Sequence, residues 1–206
     1  ERTTVPMQGV YTNLWGSWDD LAFGWGLETM IRWDGDAWST MPSPGEAYAL
    51  HGPARDLIFA VGRAGLFSRW DGSAWHPLEA PTTASLIDVH ATSEDDVWAI
   101  AKPGTLLHGT VQGLRPVLTS DKPLTGVACF HDTVYVAVED AGLFRVEDGQ
   151  LVLVKDTFKP VHLEAREGLL CAGSEVVVGT RDGAKFTGSP IKAIAALIDP
   201  RPPLWT

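Results

Sequence analysis

The stretch Asp56-Leu-Ile-Phe-Ala-Val-Gly-Arg-Ala-Gly-Leu-Phe-Ser-Arg-Trp-Asp-Gly-Ser-Ala-Trp75 decides how this chain is read. Leu57 to Val61 is a continuous apolar run bounded by Asp and Gly, which suits a short strand buried on both faces. The glycines at 62 and 65 mark a turn. Leu66-Phe-Ser-Arg-Trp70 then alternates apolar and polar residues, as a strand with one covered face does. Asp71-Gly72 follows, a hairpin signal because Gly reaches the positive φ such turns require.

The same phrase recurs along the chain, and a period is sought before any local assignment is made. With Phe59 as marker, its counterparts are Phe23, Trp98, Val136 and Val177, at gaps of 36, 39, 38 and 41 residues. Gly65, Gly104, Gly142 and Gly183 repeat at 39, 38 and 41. Asp-Gly returns at Asp34-Gly35 and Asp148-Gly149, and Gln112-Gly113 takes its place in the third copy. Val97 to Ala101 and Val134 to Val138 repeat the buried run, and Met30-Ile-Arg-Trp33 repeats the alternating one. Each copy therefore reads as about four short antiparallel strands. A lone four-stranded sheet leaves two apolar faces uncovered. Copies stacked around an axis cover both faces and leave only short edges. The expectation is an all-β, five-bladed β-propeller of four-stranded antiparallel blades, one domain over 1–206. Its blades fall near 11–44, 46–81, 84–120, 123–158 and 160–190. The termini, 1–10 and 191–206, are expected to close or strap the ring, with Pro6 confining the first segment to an edge and Asp199-Pro-Arg-Pro-Pro203 resisting regular structure.

Asp95-Asp-Val-Trp-Ala-Ile100 and Trp-Asp-Gly-x-x-Trp (Trp33 to Trp38, Trp70 to Trp75) resemble bacterial propeller repeats of the kelch, Asp-box and WD-like kind. The resemblance covers nearly the whole chain. It departs from the strict patterns: Ser68 is followed two places later by Trp70 rather than Asp, and no Gly-His precedes the Trp-Asp pairs. It implies the fold, and such repeats serve binding modules, sugar-binding proteins and enzymes alike.

Composition narrows the function. The chain has 206 residues, 45% hydrophobic and 20% charged, which suits a globular domain with one well-buried core. No apolar run approaches the ~20 residues that span a bilayer, so no membrane partner is expected. Net charge is −10 and the 16 Lys and Arg are scattered singly. Nucleic acid, which needs a basic stripe for counterion release, is not an expected partner. The acidic body suits solubility and a basic protein partner. No leader is present, which points to the cytoplasm, although the chain begins at Glu1 and removal of a leader would place it outside the cell.

Candidate site residues come from departures from the repeat. Five of the nine tryptophans lie in the first copy: Trp15, Trp18, Trp25, Trp33 and Trp38. Trp25 aligns with Val61 and Ile100 and reads as core. Trp18 aligns with Ala54 and Glu94 in a turn; an aromatic where the sibling turns are polar or small either marks a contact surface or folds back over its own blade. Trp18 and the neighbouring turn residue Glu28 are the binding candidates. Aligned backwards from the buried strands, Trp15, His51, His90, Cys129 and Cys171 form a column late in each first strand, around the axis. His51, His90, Cys129 and Cys171 are residue types that zinc prefers. Trp15 at the same level argues instead for a packing slot, and buried Cys behaves as a small hydrophobe. Both cysteines are expected as free thiols, with no disulfide framework. The turn acids Asp19-Asp20, Asp56, Asp95-Asp96 and Asp132 read as turn chemistry.

No catalytic signature is present: no Gly-x-Ser-x-Gly, no His-Glu-x-x-His, no phosphate loop. His162 and Glu164, two apart on a strand, share a face and are the one close acid/base pair. The expected function is a non-enzymatic binding module for protein–protein interaction, of inhibitor or immunity type in its most concrete form, with no cofactor. The alternative is a lectin-like propeller for glycans. A lectin would keep one exposed aromatic in most blades, whereas the hairpin Trp38 and Trp75 become Leu114 and Leu151 in later copies.

Overall fold

The computed structural model describes residues 11–16, 20–26, 29–166, 168–173 and 176–190. These form five four-stranded antiparallel sheets arranged as a propeller. Blade one comprises β1 (Asn13–Gly16), β2 (Ala22–Trp25), β3 (Met30–Trp33) and β4 (Trp38–Met41). Blade two comprises β5 (Ala47–Ala54), β6 (Leu57–Gly62), β7 (Phe67–Trp70) and β8 (Trp75–Pro77). Blade three runs β9 (Leu86–Ser93), β10 (Asp96–Ala101), β11 (Thr105–Thr110) and β12 (Gly113–Thr119). Blade four runs β13 (Leu124–Phe130), β14 (Thr133–Val138), β15 (Gly142–Glu147) and β16 (Gln150–Lys155). Blade five runs β17 (His162–Arg166), β18 (Leu169–Gly173), β19 (Val176–Thr180) and β20 (Thr187–Pro190). Each sheet takes its strands in chain order. The terminal segments expected to close the ring lie outside the described residues.

The second strands carry the core because they are apolar on both faces. Ile58, Phe59, Ala60 and Val61 in β6 are fully buried, as are Ala99 and Ile100 in β10 and Val136 and Ala137 in β14. Alternate residues of one strand serve different neighbours. Phe59 and Val61 pack towards blade three with Val89 and Leu107, while Ile58 and Ala60 pack towards blade one with Phe23 and Trp25.

The Trp-Asp-Gly-x-x-Trp motif acquires a geometric meaning. Trp33 and Trp38 are cross-strand partners, as are Trp70 and Trp75, with ring centroids 5.8 and 5.5 Å apart. Aromatic pairs so placed are among the stronger cross-strand contacts. The Asp caps the turn between them: Asp71 Oδ1 accepts the backbone N–H groups of Ser73 and Ala74, both at 2.8 Å. Asp34 does the same for Asp36 and Ala37. Asp148-Gly149 is different, a true two-residue turn with φ of 50° and 73° at its two residues.

Blade five differs from the sequence expectation by one strand. Val177 lies on the third strand and Cys171 on the second, paired with Glu164. Leu169 to Gly173 and Val176 to Thr180 are two adjacent apolar runs, and hydrophobicity does not say which of them follows the inner strand.

Candidate functional site

The first strand of each blade lines the central channel. Among the residues of these strands that line the channel, His51 and His90 meet. Their rings stack with centroids 3.9 Å apart at 26°. Both are buried, 8% and 4% exposed. The backbone N–H of Ala91 donates to His51 Nδ1 at 3.1 Å. In the neutral ring, Nε2 must then carry the proton, and it lies 3.8 Å from Glu164 Oε1. Burial holds His51 well below the usual imidazole range, with His90 and Arg166 adding to the effect. Burial brings His90 down to about 4. The pair is a neutral plug, because protonating either ring would place a charge against the other in a dry site.

The plug divides the channel into two cavities of about 360 Å³ each. The first is lined by Trp15, Tyr48, Asp88, Val161 and Glu164, among others. The second opens at the opposite end, past Pro53, Thr92, Cys129 and Arg166.

In the first cavity, Asp88 is 7% exposed, and its carboxyl ties two blades together. Oδ1 accepts Val89 N–H at 3.0 Å and Oδ2 accepts Val127 N–H, from the next blade, at 2.9 Å. Burial pushes Asp88 up to about 7 against the pull of those two donors. Glu164 is also raised by burial, with Arg166 opposing. Two polar atoms on this wall, Trp15 Nε1 and Glu164 Oε1, are buried with no hydrogen-bond partner among the described residues. The rim is apolar. Leu14, Tyr48 and Val161 are 71%, 36% and 62% exposed, and all three border this cavity.

The residues singled out from sequence fall in different places. Trp18 and Glu28 lie outside the described residues. Trp25 is core, its indole N–H donating to Ala47 O at 3.0 Å. His51, His90 and Cys129 are on inner strands, but Cys129 pairs with Val134, away from the His level, and Cys171 is on β18. The four are therefore not one ring of ligands. No group of three or more His, Cys, Asp or Glu that could hold a metal occurs among the described residues. Both cysteines are free thiols, and burial pushes both upward. Glu164 meets His51 rather than serving as a local pair with His162. Asp88 was the residue sequence reasoning missed, and its signal was a lone acid inside the apolar strand Leu86-Ile-Asp-Val89.

Among the described residues, no helix is long and apolar enough to cross a membrane. No protein-family model matches this sequence, and no curated protein matches it. Solved structures do. The β-propeller domain of Cps50 (Swd1) from Myceliophteria thermophila superposes with a TM-score of 0.68 at 9% identity, over 86% of this chain and 68% of that one. The computationally designed protein Ika8 superposes with a TM-score of 0.65 at 14% identity, over 88% and 62%. YCF48 bound to a D1 peptide gives 0.60 at 13%, over 82% and 63%. This chain thus spans about three-fifths of the length of Ika8 and of the peptide-bound YCF48. At such identities the likeness establishes the propeller fold.

Proposed function

We propose that this chain is a non-enzymatic binding module that takes a segment of a partner protein at the channel mouth framed by Leu14, Tyr48 and Val161. One observation carries the reading. Three of the five exposed large hydrophobic residues among those described surround one cavity, and that cavity's wall holds a donor, Trp15 Nε1, and an acceptor, Glu164 Oε1, that are buried without a hydrogen bond among the described residues. An apolar rim over a polar floor is what an inserted side chain needs for both burial and orientation. YCF48 has been solved with a bound peptide, which lends the reading support from the same fold. The net charge of −10 favours a basic partner. An inhibitor- or immunity-type role, with the acidic body masking a basic surface, is the form of this reading that the charge favours.

Catalysis has less to draw on. His51 and His90 are held neutral, both oxygens of Asp88 are committed to backbone N–H groups, and neither thiol is poised as a nucleophile. The glycan reading loses its best feature, because Trp75 spends its ring on Trp70 and Phe23, and Trp38 on Trp33.

The test is capture from lysate of the source organism with five immobilised baits: the wild type, Leu14→Asp, Val161→Asp, Trp18→Ala and Glu28→Gln. A stoichiometric partner held by the wild type and weakened by about 2 kcal/mol or more in the two Asp variants is the expected result. Trp18 and Glu28 belong to the same proposal, and Trp18→Ala and Glu28→Gln are expected to weaken the same partner. A partner unaffected by Leu14→Asp and Val161→Asp would remove the channel mouth from the site. Recovery of glycoconjugates alone, released by free sugar, would overturn the reading.

A further inference from the structure

We infer a second binding site, for a carboxylate, in the cleft between blades one and two. It stands apart from the channel and does not rest on the reading given for the mouth. The cleft has a volume of about 460 Å³ and is lined by Arg32 and Ser39 of blade one, Trp70 and Trp75 of blade two, and the Pro42-to-Pro44 connection.

The cleft has an excess of donors. Arg32 lies over the Trp70 ring with its Cζ 5.7 Å from the centroid. Its Nε is buried and makes no hydrogen bond. Trp75 Nε1, on the opposite wall, is also buried and unpartnered. Four arginines of this acidic chain have carboxylates: Arg55 pairs with Asp20, Arg63 with Glu46, Arg145 with Glu147 and Arg166 with Glu164; Arg69, whose Nε is also buried without a hydrogen bond, does not among the described residues. Arg32 has none within ion-pair distance among the described residues. Asp34 feels its charge, but the Asp34 carboxylate is spent on the N–H groups of Ala37 and Asp36. Three of the four serine hydroxyls at the cleft are already donating: Ser68 Oγ to His76 O, Ser73 Oγ to Asp71 and Ser43 Oγ to Gly45 O.

Two unpaired buried N–H groups leave a donor debt that only an acceptor can settle. The Arg32 guanidinium, within cation–π reach of Trp70, carries a planar fork of N–H donors, which matches a planar carboxylate. The Trp70, Met41 and proline surfaces beside it suit a short apolar stem on that carboxylate. At the equivalent junction between blades two and three, Arg69 occupies the Arg32 position, but Gly109 of β11 stands where blade two has Trp70. The ring beside the fork is missing there.

The experiment is a side-chain ¹H–¹⁵N titration of the whole chain with sodium acetate at constant ionic strength, with sodium chloride as the parallel arm. Saturable movement of the Arg32 Nε–H and Trp75 Nε1–H signals is expected, while the Trp25 and Trp98 indoles, already bonded to Ala47 O and Asp96, stay in place. Trp75→Phe keeps the ring and removes the N–H; about tenfold weaker acetate binding is expected from it, and Arg32→Gln should abolish saturation. The Trp98 signal reports folding in both variants. Linear shifts, or shifts that chloride reproduces, would overturn the site. Replacing acetate by N-acetylglutamate and by a neutral peptide carrying one Glu separates the sources. Tighter binding of the peptide assigns the carboxylate to a protein segment, and equal binding assigns it to a small metabolite.

Discussion

Asp88 shows how a single residue can set the acid–base behaviour of the molecule. Its ordinary value is near 3.8, and burial raises it to about 7 in the folded chain. Between those values the native state keeps a proton that the unfolded chain has released, so this residue's contribution to stability falls as pH rises through the window. His51 and His90 act in the opposite sense. Their folded values lie below the ordinary 6.5, so the unfolded chain takes up protons first and stability is lost as pH falls from 6.5 towards 4. Asp88→Asn removes only the first effect. Relative to wild type, its stability should improve by an amount on the order of 4 kcal/mol between about pH 4 and about pH 8, read from urea unfolding at each pH. A flat difference would show that Asp88 is not held protonated. Little of this could be read in advance. Asp88 is one acid among 26 Asp and Glu, and its role depends on the Val127 N–H, 39 residues away in the next blade.

The elements were far more legible. Apolar runs give β6, β10 and β14, and Trp-Asp-Gly-x-x-Trp gives the outer hairpins of blades one and two, because periodicity and turn chemistry are local properties. In blade five, two apolar runs alike in composition leave the second strand unmarked by sequence, and the structure places Val177 on the third strand. Glycines separate by what surrounds them. A Cβ at Gly62 would stand 2.0 Å from Glu46 O, at the point where β6 meets the entry of β5. Gly149 has φ of 73° and open space around it. Gly62→Ala should therefore cost more than ~3 kcal/mol, whereas Gly149→Asn, whose side chain tolerates the left-handed region, should cost less than ~1 kcal/mol. Thermal unfolding of the two variants decides it, and comparable losses would refute the packing argument.

At the scale of the whole molecule, the apolar core is four clusters among the described residues, one at each junction between consecutive blades. Between blade five and blade one, the bond recorded is Arg166 Nη1 donating to Gly16 O at 2.8 Å. Protection from hydrogen exchange should follow this distribution. The amides of Trp98 to Ile100, in a strand packed on both sides, should open only with global unfolding. Those of β1, four residues long with Leu14 at its exposed edge, should exchange at least tenfold faster. Equal protection of β1 and β10 would contradict it. The serial order of these clusters bears on how the chain is made. Each seals when the blade just after it leaves the ribosome, so burial keeps pace with synthesis and each newly formed blade exposes its leading face only until the next arrives. Most of the core is therefore made between neighbours in the chain, and it matures as a relay of adjacent blades.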